Sequence, residues 1–273
     1  MPRRSLGWYA GCLKRAVMFM RRFPPPLLRL LRGWEPRALA ALLLLAIGAW
    51  VSVKIAGEVL EGDTFSFDRL LLELLRSGTD PGALRGPGWL ADVVRDATAL
   101  GSVLVLTIAA GTAVIFLWLQ RQRSTAIFLA TSVVTGMLAS AALKEFFDRP
   151  RPTIVPHLAT VASSSFPSGH AMMSAVVYLT LGSLLMSVVA ERRLKLFILA
   201  AAIGVTVLVG VSRVLLGVHY PSDVLAGWAF GLSWAEACWL GNAWRRRRAG
   251  LATAAAPARQ PVGGAIDPAG RPS

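Results

Sequence analysis

Charged residues are scarce in this sequence. Only 16% of the 273 residues are Asp, Glu, Lys or Arg, whereas 55% are hydrophobic. A soluble domain typically carries about 25% charged residues, so this composition argues against a protein that faces water on all sides. Acidic residues are fewer than basic residues, with 15 Asp and Glu against 29 Lys and Arg. A basic excess can indicate nucleic-acid binding, but basic residues also collect in the cytoplasmic loops of membrane proteins. We therefore expect membrane lipids, and no nucleic acid, as partners.

Cysteine is almost absent as well. Cys12 and Cys238 are the two cysteines of the chain. A pair is too few for a disulfide framework or a cysteine-based metal centre. We expect both residues to have structural roles.

Six long runs are free, or nearly free, of charged residues. They span residues 38–53, 97–120, 124–143, 171–190, 196–212 and 224–244. A helix needs roughly 20 mostly apolar residues to cross the hydrocarbon core of a bilayer, and the shorter first and fifth runs continue past Lys54 and Arg213. The pattern predicts an all-α fold, an integral membrane bundle of six transmembrane helices. Glu236 interrupts the last run, either to pair within the bundle or to serve a function.

An even number of spans places both termini on one side of the membrane. Twenty of the 29 basic residues lie on that side, nine of them before Ala38. The positive-inside rule therefore predicts cytoplasmic termini in a multi-pass protein of the cell (inner) membrane. The chain divides into a basic cytoplasmic leader (1–37), a six-span domain (38–244) and a basic cytoplasmic tail (245–273) that we expect to be disordered.

Three segments then face outward, 61–96, 144–170 and 213–223. Within the first, from Phe67 to Arg76, apolar residues recur at helical spacing. This spacing predicts either an amphipathic helix on the membrane interface or a lid that packs on the bundle. The apolar residues concerned are Phe67, Leu70, Leu71, Leu74 and Leu75.

All three histidines, His157, His170 and His219, lie in outward segments. The third and fifth spans end on the outer side, where the fourth and sixth begin. His170 at the start of the fourth span and His219 just before the sixth are thus predicted to share one membrane face. Ionisable residues beside the membrane are costly to place, so they indicate a functional site. His157 is expected to be an ordinary loop residue.

Basic residues stand at the same helix ends. Lys144 and Arg151 follow the third span, and Arg213 ends the fifth. A phosphoryl group in transfer spreads negative charge over its oxygens, so its catalysis depends mainly on positioning and on cations. At the start of the fourth span, Ser168 can cap the helix and Gly169 lets a ligand approach the backbone, where free amides bind anions. Together these residues predict a phosphate site.

The two outward histidines at these helix starts can supply the chemistry. Asp223 follows His219 by four residues and could hold one ring nitrogen as N–H, which leaves the other nitrogen free to attack phosphorus. His170 could then protonate the leaving oxygen as a general acid. The sequence therefore predicts phosphoryl-transfer chemistry.

Three signatures in this region resemble those of the type 2 phosphatidic acid phosphatase superfamily. That family includes lipid phosphate phosphatases and is related to bacterial acid phosphatases and vanadium haloperoxidases. Its motif Lys-x6-Arg-Pro matches Lys144 with Arg151, and its motif Pro-Ser-Gly-His matches the residues that end at His170. Its motif Ser-Arg-x5-His-x3-Asp matches the stretch from Ser212 to Asp223. The signatures cover residues 144–223, with a duplicated Arg-Pro at Arg149 that we expect to be auxiliary or structural.

The resemblance implies a role for each matching residue. His219 would be the nucleophile that forms a phosphohistidine, Asp223 its orienting partner and His170 the proton donor to the leaving group. The phosphate would be held by Lys144, Arg151, Ser168, Gly169 and Arg213. The resemblance implies no metal and no other cofactor.

We therefore expect hydrolysis of a lipid phosphomonoester or a prenyl diphosphate at the outer face of the membrane. One alternative is a lipid phosphotransferase that uses the same site, and another is a non-catalytic transporter or scaffold of the same fold. Phosphatidic acid, phosphatidylglycerol phosphate and undecaprenyl diphosphate are all open as substrates, and the oligomeric state is open too.

Overall fold

The structure is a computed structural model. It describes the backbone of residues 36–61, 66–78, 80, 82–159 and 163–255, and side chains between residues 38 and 245. Almost all of the predicted leader 1–37, and the predicted tail beyond residue 255, lie outside the described residues.

The described part of the chain is helical. Its helices are α1 (Pro36–Leu60), α2 (Ser66–Leu74), α3 (Leu90–Ala99), α4 (Val103–Leu119), α5 (Arg123–Phe147), α6 (Gly169–Val188), α7 (Arg192–Leu215) and α8 (Pro221–Ala255). The described ranges contain no β-strand, only an isolated bridge between Arg76 and Leu84. The all-α prediction is confirmed.

Fewer helices than predicted have the length and composition of a membrane span. α1, α5, α6 and α7 are long and apolar enough to cross a membrane. α3 and α4 form a fifth candidate only when they are taken together as one span bent by 42°. The last predicted run lies in α8, which is not among these candidate spans. Its tryptophans, glycines and Glu236 lower the hydropathy of the helix. The described residues thus hold four or five candidate spans, and six remains a prediction.

The break between α3 and α4 interrupts the second predicted run. Ser102 caps α4, because its Oγ accepts a hydrogen bond from the Val105 amide at 3.2 Å. The preceding Gly101 lies against α6, so that a Cβ there would stand 3.2 Å from His170 Cδ2. The break therefore brings the backbone of this segment close to a predicted site residue.

The backbones of α6 and α8 approach each other closely. A Cβ at Gly227 would lie 2.7 Å from the Ser168 carbonyl oxygen, and one at Gly231 would lie 2.5 Å from the Met172 carbonyl oxygen. Small residues spaced by four let helix backbones meet in this way within membranes. As a result the starts of the two helices lie side by side, and the Ser168 amide donates to the Asp223 carbonyl at 3.0 Å.

The segment from Phe67 to Arg76 does form a helix, but its packed face differs from the predicted stripe. In α2, Asp68 and Leu72 are buried, whereas Leu70, Leu71 and Leu74 are exposed. The Asp68 carboxylate can be buried because Ser222 and Arg149 are polar partners for it. The lid interpretation fits this packing.

The last helix is longer than predicted. α8 continues to Ala255, past the boundary expected at residue 244. Alanine and arginine dominate this extension, and both favour helix.

Candidate active site

Lys144 lies in the last turn of α5 and ties the following loop to that helix. Its Nζ donates to the Ser164 carbonyl at 2.7 Å, and Ser164 Oγ donates to the Lys144 carbonyl at 2.8 Å. α5 ends at Asp148, which takes a left-handed conformation with φ 39°. The chain therefore turns back over the end of the bundle, where the other predicted residues lie.

Arg151 lies in this loop, half-buried and beside the His219 ring. Its Nε donates to the Ser163 carbonyl at 2.7 Å, and its Nη1 donates to the Val218 carbonyl at 2.6 Å. The same Nη1 stands 3.4 Å from His219 Nε2. Burial lowers the pKa of Arg151 and the Asp223 carboxylate opposes this shift, but a guanidinium remains charged in proteins.

Ser168, Gly169 and His170 form the start of α6. Ser168 stands at the N-cap position, but its side chain makes no capping bond, contrary to our prediction, and its buried Oγ has no hydrogen-bond partner among the described residues. Its amide is instead bonded to α8, so the backbone is held without the hydroxyl. Gly169 leaves room for the lysine, since a Cβ there would lie 3.2 Å from Lys144 Cε.

Arg213 ends α7 and is 5% exposed. Its Nη1 donates to Thr98 Oγ1 at 3.2 Å, while its Nε has no partner in the described part of the chain. Arg213, Lys144 and Arg151 all act electrostatically on His170, as does His219. The structure thus brings the three predicted cations and both predicted catalytic histidines into one neighbourhood.

His219 lies in the turn between α7 and α8 and is 2% exposed. The turn requires glycine at Gly217, whose φ is +72° and where a Cβ would lie 2.3 Å from Arg76 Nη2. His219 Nδ1 is 3.5 Å from Asp223 Oδ2, which is longer than a normal hydrogen bond, and it has no hydrogen-bond partner among the described residues. Burial lowers the pKa of His219 to about 4, against the opposing effect of the Asp223 carboxylate. The imidazole is therefore neutral near pH 7.

Asp223 lies in the first turn of α8 and is fully buried. Its Oδ1 is 2.6 Å from Arg149 Nη1. Its Oδ2 accepts from the Tyr220 amide at 2.9 Å and also from Ser165 Oγ. The carboxylate beside the histidine is thus fixed on both of its oxygens.

The sequence analysis did not single out the partners of this carboxylate beyond the histidine. Arg149 also reaches Asp68 on α2, with 3.5 Å between Nη2 and Oδ2. Asp68 in turn accepts from the Ser222 amide at 2.8 Å and from Ser222 Oγ at 2.5 Å. Burial raises the pKa of Asp68, and the Ser222 hydrogen bonds and the charge of Arg149 oppose this shift. Two features of the sequence could have indicated this ion-pair network. They are the duplicated Arg-Pro at Arg149 and the acidic Asp68, four residues before Leu72.

His157 lies in the loop, as expected, where it is exposed and its Nε2 donates to the Pro152 carbonyl at 2.7 Å. Among the described residues, no three His, Cys, Asp or Glu side chains form a group that could hold a metal. Cys238 is a free, half-buried cysteine. Glu236 lines a cavity of about 400 Å³ between α1, α5, α6, α7 and α8.

An apolar pocket of about 290 Å³ opens beside His170. Lys144, Gly169 and His170 lie at its polar end. Its remaining lining comes mainly from apolar residues of α4, α5 and α6, including Leu106, Val133, Met137, Ala141 and Met173. The shape suits a molecule with one charged end and one apolar end.

Known proteins are similar to this chain in sequence and in structure. The PAP2 superfamily model matches residues 125–247. Phosphatidylglycerophosphatase B of Bacillus subtilis (strain 168) is 35% identical over 150 residues, which are 53% of this chain and 71% of that protein. The chain belongs to the PAP2 superfamily. The family prediction is confirmed, and the matched region contains every predicted site residue of this PAP2 protein.

Two further relatives of this PAP2 protein show how far the likeness extends. Lipid A 1-phosphatase of Rhizobium etli is 34% identical over 113 residues, 38% of this chain and 44% of that protein. The crystal structure of the first transmembrane PAP2 type phosphatidylglycerolphosphate phosphatase from Bacillus subtilis matches with a TM-score of 0.58 at 27% identity, over 76% of this chain and 96% of that chain. The protein is thus a multi-pass membrane protein of the PAP2 lipid phosphatase family.

Proposed function

We propose that this protein hydrolyses a lipid phosphomonoester or a prenyl diphosphate through a phosphohistidine intermediate. The observation that carries the proposal is the buried His219, whose neutral ring has Nε2 3.4 Å from the Arg151 guanidinium and Nδ1 facing Asp223. A nucleophile beside an anion-binding cation, with an orienting carboxylate behind it, is the arrangement that phosphoryl transfer to nitrogen requires.

In the first step, the lone pair on His219 Nε2 forms a bond to phosphorus while the bond between phosphorus and the leaving oxygen breaks. Asp223 keeps the other ring nitrogen as N–H and stabilises the positive charge that develops on the ring. His170, in its protonated form, donates a proton to the leaving oxygen and becomes neutral. In the second step, water attacks the phosphohistidine, His170 takes the proton from that water, and inorganic phosphate is released with His219 restored.

The cations stabilise the phosphoryl group throughout. Lys144, Arg151 and Arg213 approach the site from three separate segments, the end of α5, the loop and the end of α7. Negative charge that spreads over three equatorial oxygens is stabilised best by cations that approach from several directions. Ser168 Oγ and the free amides at the start of α6 are further donors for these oxygens. The proposal assigns no role to a metal.

The apolar pocket favours a lipid over a soluble phosphate ester. A tail placed between α4, α5 and α6 would leave its phosphate at Lys144 and His170. The distribution of basic residues supports an outer location for this end of the bundle. We therefore propose that the substrate is a lipid of the outer leaflet.

The test is phosphate release by purified protein in detergent from phosphatidic acid, phosphatidylglycerol phosphate and undecaprenyl diphosphate. His219→Ala should lower kcat at least about 10³-fold, since the nucleophile is lost. His157→Ala is the matched control, because that histidine is exposed in the loop, and it should keep the activity of the parent. Release of phosphate without an added acceptor supports hydrolysis over phosphotransfer, and full activity of His219→Ala would rule out the mechanism.

A further inference from the structure

A chain of three buried charged groups connects α2 to the proposed nucleophile. Arg149 is 8% exposed, and the two carboxylates that it contacts, Asp68 and Asp223, are fully buried. Its Nη1 lies 2.6 Å from Asp223 Oδ1 and its Nη2 lies 3.5 Å from Asp68 Oδ2. The two ends of one planar guanidinium thus contact carboxylates from two different helices.

Burial makes these three groups depend on one another. A buried charge without a partner is strongly unfavourable, so removing one member leaves the others uncompensated. The ring of Tyr220 lies under the guanidinium, with 4.4 Å from Arg149 Cζ to the ring centroid, and adds a cation–π contact. The position of Arg149 is therefore fixed on three sides, by α2, by α8 and by the residue next to His219.

Asp68 also holds the first turn of α8. It accepts from both the amide and the hydroxyl of Ser222, which immediately precedes Asp223. A carboxylate at a helix start satisfies free amides and interacts favourably with the helix dipole. Here the capping group comes from a separate helix, so α2 sets the place where α8 begins.

We propose that Asp68 and Arg149 are positioning residues for the pair His219 and Asp223. The inference rests on the proposed function, because it takes His219 as the nucleophile. Arg149 holds the plane of the Asp223 carboxylate and Asp68 holds Arg149 and the helix start. The His219 ring, 3.5 Å from that carboxylate, then keeps the orientation needed for attack. The matched family region begins at residue 125, so Asp68 is supplied by a part of the chain outside it.

This role differs from that of Arg151. The guanidinium of Arg149 is occupied by two carboxylates, whereas Arg151 bonds to backbone carbonyls beside His219 Nε2. A phosphate ligand contributes to substrate binding, so its loss raises KM. A positioning residue acts on the reacting geometry, so its loss lowers kcat.

The experiment compares Asp68→Asn and Arg149→Lys with the parent protein. For each variant, kcat, KM for a lipid phosphate, inhibition by inorganic phosphate and inhibition by vanadate are measured in detergent. Both variants should lose about ten- to hundredfold in kcat, because displacements near 1 Å at a reacting group have effects of that size. KM and inhibition by inorganic phosphate should change less than threefold. Inhibition by vanadate, which resembles the transition state, should weaken in proportion to kcat/KM.

The matched control is Arg69→Gln on the same helix. Arg69 is the neighbour of Asp68, its side chain is 70% exposed, and it pairs with Glu73 at 2.8 Å. This variant should keep parental kcat. Ser222→Ala removes one of the two bonds to Asp68 and the 3.0 Å bond that Ser222 Oγ accepts from Arg149 Nη1. Because the ion pairs of Arg149 remain, this variant should show a smaller loss of about three- to tenfold. It serves as the test variant if Asp68→Asn does not fold.

Two results would overturn the inference. One is parental kcat per folded molecule in Asp68→Asn or Ser222→Ala, with only a lower Tm, which would make the network structural. The other is a clearly raised KM together with weaker inhibition by inorganic phosphate, which would make Arg149 a phosphate ligand. Failure of the proposed function is seen separately, because His219→Ala would then be active whatever the Asp68 variants do.

Discussion

The contact between α6 and α8 allows a direct test of how accurately the site must be assembled. Gly227→Ala would place a Cβ 2.7 Å from the Ser168 carbonyl oxygen. Ordinary van der Waals contacts begin at about 3.4 Å, so the two backbones must separate by about 0.7 Å. Ser168 belongs to the segment that carries Gly169 and His170, while Gly227 lies one helical turn beyond Asp223. The substitution therefore moves one half of the site away from the other.

The size of the effect follows from that displacement. A misplacement of about 1 Å can cost about 10²-fold in rate, so we expect Gly227→Ala to lower kcat by about ten- to hundredfold. Overpacking should also destabilise the protein by about 1–3 kcal/mol, which leaves a folded enzyme to assay. Gly231→Ala, where the Cβ would lie 2.5 Å from the Met172 carbonyl oxygen, should reduce kcat at least as much.

The assay is phosphate release per folded molecule, with the folded fraction taken from thermal unfolding in detergent. Gly241→Ala is the matched control on the same helix, because a Cβ there meets nothing within 4 Å, and it should behave as the parent. If Gly227→Ala kept parental kcat, the close juxtaposition of the two helix starts would not be required for turnover, and the argument from geometry would be wrong.

Three further predictions concern the chemistry of the site. Since the folded-state pKa of His219 is lowered to about 4, the ring should be neutral in about 90% of molecules at pH 5, against about 3% for an ordinary histidine. The profile of kcat/KM, corrected for the substrate dianion, should therefore show no loss of the nucleophile between pH 7 and pH 5, and an acidic limb near pH 6.5 assigned to His219 by NMR titration would contradict this. Activity should survive a metal chelator, because no step uses a metal; complete loss that a divalent cation restores would show the contrary. Vanadate should inhibit, since it resembles five-coordinate phosphorus, and phosphate release that continued unchanged at high vanadate would count against the assigned site.

Much of the site was accessible from the sequence because membrane spans constrain where their ends lie. Once the apolar runs are placed, residues at alternating helix ends must share one face, which is why Lys144, His170, Arg213 and His219 were expected together. The structure brings them into one neighbourhood. The helical character of the apolar runs was expected from the need to satisfy backbone groups in lipid, although the second run is broken between α3 and α4.

The sequence analysis missed those features that depend on contacts between distant segments. The apolar spacing in α2 pointed to the leucines, but the buried face contains Asp68, because Ser222 and Arg149 supply partners that spacing alone does not reveal. Arg149 was expected to be auxiliary or structural, but its two carboxylate partners were not identified, for the same reason. The prediction that the Ser168 side chain caps its helix was wrong, and the hydrogen bond that holds this helix start runs instead from the Ser168 amide to the Asp223 carbonyl.

The reach of Asp68 into the first turn of α8 matters for any attempt to transplant this enzyme's machinery. Residues 125–247 carry the whole set of residues by which the family is known, yet the acid that holds the guanidinium next to them is contributed from upstream. A chimera that joined this region to the amino-terminal half of another relative would keep every signature. On the inference above, the chimera would hold Arg149 and the start of α8 in place only if its amino-terminal half supplied a carboxylate at the position that Asp68 occupies here.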